Sequence, residues 1–194
     1  MKVRVAIPIA VIAVLALGAF YLPASKHYAA IDRCLLSGGA WDYQGRRCAA
    51  VPAGPVDRLL VDKSERRLLA YRGGILIREF RVALGRGGLG PKRRQGDGRV
   101  PEGEYLITFH NAASAFHRSL RIGYPTDEQL AAAQQAGVNL GGDIMIHGLP
   151  NGLGKIGSRH VRRDWTEGCI AVTNQEMDWL FATVPDNTPV EIRA

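Results

Sequence analysis

Apolar positions along this chain gather in short runs separated by charged or glycine-bearing breaks, a rhythm that predicts strands more than helices. Three such runs come early in the main body of the chain: Asp57–Asp62, Arg67–Tyr71 and Ile75–Leu84. Lys63-Ser64-Glu65-Arg66 reads as a polar turn between the first two, and Gly73-Gly74 as a two-residue hairpin turn between the second and third. Glu104–Phe109 is a further strand, entered through Pro101 and Gly103; Asp143–His147 is a short buried one, and Pro189–Arg193 the last. Two helices interrupt the pattern. Thr126 caps Asp127–Ala136, with Gly137 as the stop, and Thr173 or Asn174 caps Gln175–Thr183. The second helix buries Met177, Leu180 and Phe181 and ends before Pro185. No internal repeat is visible. The pattern predicts a mainly β fold with one or two short helices.

The first residues obey a different rule. Lys2 and Arg4 precede an uncharged run from Val5 to Leu22, which reads as a secretion signal or a single membrane anchor. The run is long for a signal core and sufficient to cross a bilayer, which takes about 20 residues. Leu22-Pro23-Ala24-Ser25 and His27-Tyr28-Ala29-Ala30 are poor small-x-small cleavage sites, so the reading inclines to an uncleaved anchor, with a cleaved signal as the alternative. Either way, segment 1–24 sends the remainder to the periplasm or cell envelope, attached to the inner membrane if the segment is kept. The 194 residues leave enough chain for one packed core behind that segment. A net charge of +7 suits nucleic acid, an anionic membrane face or an acidic polymer. Export removes nucleic acid and leaves a wall polymer or lipid face, with ordinary solvated charge as the default.

Export also frames the cysteines. Cys34 and Cys48 bracket a segment rich in glycine, with Asp42 and Gln44, that reads as a turn-containing loop. In an oxidising compartment the pair predicts a disulfide, which makes 25–55 a stapled linker. Two free thiols or a metal pair are the alternatives, although the spacing fits no CxxC-type zinc pattern. With that pair made, Cys169 is the odd thiol, and an odd thiol in an exported protein points to reactivity. A buried structural thiol is the competing reading.

Cys169 sits in Asp164-Trp165-Thr166-Glu167-Gly168-Cys169-Ile170, and His147 closes Ile144-Met145-Ile146-His147-Gly148, 22 positions earlier. Only a thiolate attacks carbonyls well, and an imidazole supplies the means by taking the proton. Gly168 permits a sharp bend that frees the amide groups around the sulfur for an oxyanion site, and Trp165 and Ile170 add apolar bulk. His160 is a second candidate base, against the simpler reading of a surface histidine in the basic stretch Ser158–Arg163. His110 and His117 lie in Phe109–Leu120, which reads as the wall of a cleft or as loop and core packing. A zinc site built from His147, His160 and Cys169 is the rival enzyme reading, but no HExxH or similar ligand spacing supports it, and neither metal nor cofactor is expected. Gly85, Gly87 and Gly90 match GxGxxG, yet Pro91 and the Lys92-Arg93-Arg94 run offer no helix to receive a pyrophosphate. Gly85–Val100 reads instead as a mobile basic loop over a substrate channel, or as a solvated loop.

Ile144–Gly148 followed by Thr166–Ile170 is similar to the signature of the L,D-transpeptidase catalytic domain, the YkuD-type fold, and Arg99–Tyr105 resembles that family's Thr-Pro-x-Gly-x-Tyr segment. The resemblance spans about Asp57 to Ile192, so residues 56–194 are read as an L,D-transpeptidase-like catalytic domain with a β-sandwich or barrel. It implies a cysteine enzyme of peptidoglycan and cell-wall biogenesis, with a part in cell shape, that cleaves the bond before D-Ala in stem peptides and passes the acyl group to an amine. That amine belongs to another stem peptide or to a wall-attached protein. Carried over by position, Cys169 is the nucleophile, His147 the base, and Gly168 with Cys169 part of the oxyanion site. Gly148, Arg159, His160, Arg162, Trp165, Thr166, Glu167 and His117 are candidate substrate contacts. The chain departs from the family's Ser-His-Gly-Cys-x-Arg or Asn pattern, with Glu167 at the second histidine and Ala171 at the basic residue, and resembles a divergent YafK-like branch. Arg159, Arg162 or Arg163 is expected to replace the missing cation. The most direct function implied is L,D-transpeptidation; the alternatives are a thiol amidase or carboxypeptidase hydrolysing peptidoglycan peptide or peptidoglycan–protein cross-links, and a non-catalytic wall-binding module.

Overall fold

The computed structural model describes residues 29–34, 36–37, 39–42 and 46–194. The expected signal or anchor run lies outside the described residues. Among those that are described, no helix is long and apolar enough to cross a membrane. The chain divides into two compact units, Met1–Val51 and Pro52–Ala194.

In the first unit, residues 29–34 are helical. β1 (Ala40–Asp42) and β2 (Arg47–Ala49) pair antiparallel, with Trp41 opposite Cys48. The bracketed segment is therefore a small ribbon where the sequence suggested only a loop. Cys34 and Cys48 are joined as a disulfide across 14 positions. A Cβ at Gly39 would lie 2.6 Å from one sulfur and 2.9 Å from the other, so glycine is the residue that lets the chain pass the bridge.

The second unit is built on one eight-stranded sheet in the order β5-β4-β3-β10-β6-β7-β8-β9. β3 (Arg58–Asp62), β4 (Arg67–Arg72) and β5 (Ile75–Arg81) form the expected meander. Gly73 and Gly74 carry the two positive φ values of its hairpin turn, 56° and 76°. β10 (Pro189–Arg193) inserts parallel to β3 and antiparallel to β6 (Gly103–Asn111). β3 thus lies between two strands, and Leu59, Leu60 and Val61 are all buried, as in a strand covered on both faces. β7 (Ser119–Ile122), β8 (Met145–His147) and β9 (Ile170–Ala171) complete the order. Just after β5, Ala83 bridges Ala171 and Gly85 bridges Thr166, so the sheet curls until its two ends meet.

The helices start where their capping chemistry dictates. Thr126 and Gln129 form a reciprocal capping box for α1 (Asp127–Gln135), and Thr173 and Glu176 form one for α2 (Asn174–Thr183). Met177 and Leu180 of α2 are fully buried, and Phe181 is only partly covered against the core. The core joins Leu59, Val61, Phe80, Ile107, Leu120, Ile122, Ile146, Ile170 and Val190 from both arms of the sheet. Each such side chain contributes about 1.5–3 kcal/mol relative to exposure.

The polar turn Lys63–Arg66 forms as expected, but Lys63 itself is fully buried, and its ammonium donates to Gly90 O at 3.2 Å, Val100 O at 3.3 Å and Glu102 Oε1 at 2.5 Å. The Gly85–Val100 loop is tightly fastened. Asp97 accepts from the backbone of Arg93, Arg94 and Arg99 and from Lys92 Nζ, contacts that hold its carboxyl well below the usual range despite burial. Gln95 and Asn139 then tie the loop to the segment after α1 through two further bonds.

Candidate active site

Local register brings the two candidate residues together. β8 and β9 run parallel with Ile146 opposite Ile170 and His147 opposite Ala171. Ile146 and Ile170 are wholly buried in the core, so strand alternation turns His147 and Cys169 to the opposite face. There both line a cavity of about 490 Å³, with Asn111, Ser114, Phe116, Ser119, Asp143, Met145, Trp165, Thr166 and Glu167. A hollow of similar volume, about 530 Å³, beside Arg58, Leu106 and Pro189 holds neither cysteine nor histidine.

His147 is buried and fixed. Its Nδ1 stands 2.7 Å from Gly148 O, an oxygen that only accepts, so Nδ1 carries the proton and Nε2 of the neutral ring is left with a lone pair able to accept one. Its ring packs 4.6 Å from that of Phe116 and 5.7 Å from that of Trp165, centroid to centroid. Burial pushes the imidazole pKa down, the Gly148 carbonyl pulls it up, and His160 pushes it down again.

The Cys169 thiol donates to Asp143 O at 3.6 Å. Burial pushes its pKa up; the Met145 N–H, which faces the sulfur, and the charge of Lys92 oppose that rise, and the Asp143 carboxylate adds to it. The net direction is upward. Both directions run against charge, the imidazole down and the thiol up, with burial the first cause of each.

The turn before Cys169 is set by Thr166 and Gly168. Thr166 Oγ1 donates to Cys169 O at 2.6 Å and accepts from Gly168 N at 3.3 Å. One of the two amides expected to be free is thus engaged inside its own turn. Gly168 has φ 122°, and a Cβ there would lie 2.7 Å from Arg99 O. Asp164 anchors the same loop, taking both Arg66 Nε and Nη2 and the Leu84 N–H.

Of the sequence candidates, Cys169, His147, Trp165, Thr166 and Glu167 meet at the cavity, Gly148 acts through its carbonyl, and Gly168 shapes the turn. His117 does not reach it; its Nε2 lies 2.7 Å from Asp178 Oδ1 on α2. Arg159, Arg162 and Arg163 are exposed and absent from its walls. His160, on a kinked 3-10 segment (Gly154–Arg162), is buried rather than superficial, and neither ring nitrogen has a hydrogen-bond partner. Nor does any of the loop 85–100 line the cavity. Among the described residues no group of three His, Cys, Asp or Glu side chains is placed to hold a metal ion. The stretch Phe109–Leu120, read from the sequence as a cleft wall or as loop and core packing, supplies Asn111, Ser114, Phe116 and Ser119 to this cavity, whereas its two histidines, His110 and His117, do not line it. Ser119 stands opposite His147 in the β7–β8 pair.

Comparison with known proteins bears on the family and the fold. A family model described as the L,D-transpeptidase catalytic domain (YkuD) matches residues 56–192. The chain is similar to Escherichia coli YafK, 31% identical over 111 residues, covering 56% of this chain and 37% of that one. It thus spans little more than a third of that curated relative's length. Among solved structures, the helical cell shape determining protein Pgp2 from Campylobacter jejuni matches with a TM-score of 0.53 at 22% identity, covering 72% of this chain and 48% of that one. Bdellovibrio bacteriovorus Bd1075 matches at 0.51 and 22%, over 70% and 47%. These two likenesses establish the mainly β, curled-sheet fold.

Proposed function

The chain belongs to the L,D-transpeptidase catalytic domain family, and on that premise we propose that it is a thiol acyltransferase acting on peptidoglycan stem peptides in the cell envelope. The single observation that carries this reading is the sharing of one cavity by Cys169 and His147, on the same face of the β8–β9 pair. In the proposed mechanism the Cys169 sulfur attacks a peptide carbonyl while His147 Nε2 takes the thiol proton, so charge develops only as the carbon–sulfur bond forms. The imidazolium then protonates the departing amine as the carbon–nitrogen bond breaks, leaving a thioester. Phe116 and Trp165 hold the ring for both transfers. An acceptor amine, from a second stem peptide or a wall-attached protein, resolves the thioester and makes the enzyme an L,D-transpeptidase.

Hydrolysis is the second reading, and one observation favours it. The position two residues after the nucleophile is Ala171, wholly buried and bonded through its backbone in both directions to Ala83. No side chain there can orient an acceptor, and water would then resolve the thioester, as in an amidase or carboxypeptidase. Incubating the protein with purified muropeptides, free and protein-linked, and weighing the products separates the two: a new cross-link marks the transferase, loss of an amine with gain of water the hydrolase. Cys169→Ala is expected to abolish both. Unchanged turnover in that variant would refute the nucleophile.

A further inference from the structure

We infer that Arg86 is the carboxylate-binding residue of this site, with Glu167 as its partner while the site is empty. The inference rests on the stem-peptide reading above and supplies a cation that the local sequence lacks. Ala171 offers only a buried methyl group, and the three arginines between His147 and Cys169 stand off the cavity.

Arg86 does not itself line the cavity; it is joined to Glu167, which does. The Gly85–Thr166 bridge and the Arg86 N–H bond to Thr166 O, at 3.0 Å, tie its backbone to the nucleophile loop. Its guanidinium then grips Glu167 with two nitrogens, Nε to Oε2 at 3.2 Å and Nη2 to Oε1. Glu167 lines the cavity and precedes Gly168-Cys169, so the fork already holds a carboxylate at the cavity wall. A planar guanidinium matches any carboxylate in this way. Both side chains are mostly exposed, at 63% and 67%, which makes the pair weak and exchangeable. The Arg66–Asp164 pair on the same loop differs: Asp164 is 16% exposed and also holds the Leu84 amide, as a structural pair does. Arg121 is the rival cation. It makes one contact, 3.1 Å, to Asp143, whose carbonyl accepts from the Cys169 thiol. A stem peptide carries free carboxylates, and one of them replaces Glu167 in the Arg86 fork as the peptide enters.

The test is calorimetric titration of the full chain carrying Cys169→Ala with a stem tetrapeptide and with its carboxyl-amidated twin. Adding Arg86→Ala should weaken the acid peptide about tenfold and leave the amidated one unchanged, which also shows that the variant is folded. Adding Glu167→Gln should tighten the acid peptide about threefold, since it frees the fork. The two partners then act in opposite directions, which a merely structural ion pair cannot produce. Equal effects on both peptides, effects of the same sign at Arg86 and Glu167, or a loss seen at Arg121→Ala with Arg86→Ala silent would each overturn the inference while leaving the peptide reading intact. If neither peptide binds the parent, the peptide reading fails and the inference falls with it.

Discussion

Replacing Lys63 by methionine removes one ammonium and keeps most of the buried stem, so it isolates what that charge does. The ammonium meets three acceptors, which lie 27, 37 and 39 positions away in sequence at Gly90, Val100 and Glu102. It therefore joins the middle of the Gly85–Val100 loop, its last residue and the residue before β6 to the β3–β4 turn. In Lys63→Met the Val100 carbonyl is buried without a donor, which costs about 1–3 kcal/mol. The Glu102 carboxylate loses its partner but is 28% exposed and recovers some water, which puts the change below the about 3–5 kcal/mol of a fully buried broken pair. The Gly90 carbonyl, part-buried, adds little. The expected destabilisation is about 3 kcal/mol, or a fall of about 10 °C in Tm for a unit of this size. Denaturant titration of the parent and Lys63→Met, with Glu102→Gln and the double variant completing a cycle, measures it. The cycle should show strong coupling, because Glu102→Gln alone leaves the ammonium two of its acceptors. A Lys63→Met stability within about 0.5 kcal/mol of the parent would refute the reasoning, since surface substitutions have that small an effect.

Two further outcomes follow from the loop that carries Cys169. Gly168→Ala forces a Cβ against Arg99 O at a φ that side chains rarely adopt, and should cost about 2–3 kcal/mol by the same titration; unaltered stability would show that the turn relaxes freely. Because the Cys169 pKa is raised, its alkylation by iodoacetamide at neutral pH should be slower than that of a free thiol and should climb only above the ordinary value of about 8.5. A rate that stays high into mildly acidic solution would establish a preformed thiolate and refute the raised pKa. The lowered His147 pKa sets the other limb: the ring must be neutral to act as base, so turnover should persist down to pH values below about 6.5 and vanish as His147 becomes charged.

The elements that were legible in the sequence are those whose cause is local. The β3–β4–β5 meander announces itself by apolar runs and by Gly73-Gly74, which the turn needs for two positive φ values. The helices announce themselves by Thr126 with Gln129 and Thr173 with Glu176, each pair three residues apart. β7 and β9 have no such cause. β9 is two residues long and exists because Ile170 finds Ile146 and Ala171 finds Ala83, partners far off in sequence. Lys63 is the sharpest case. Its neighbours Ser64, Glu65 and Arg66 describe a turn correctly, yet its own burial is decided by acceptors on a distant loop that no local pattern reveals.

The candidate site divides along the same line. That Cys169 and His147 belong together was readable from a glycine before one and a short apolar strand before the other. The pKa directions of the pair were not, because they depend on what buries it: Phe116 from the β6–β7 connection, Trp165, and His160 as a second, unpartnered imidazole nearby. A histidine beside a thiol lowers the thiol's pKa only while the ion pair it makes outweighs desolvation of both partners. Here both shifts run against charge, which suits the proposed step in which thiolate and imidazolium form together with the bond to substrate. On the proposed chemistry, a carbonyl that fills the cavity supplies the reason for the proton to move, and an electrophile that does not fit meets a protonated, slow thiol. Selectivity then arises at the proton transfer itself, before any contact with Arg86 or Glu167 is counted.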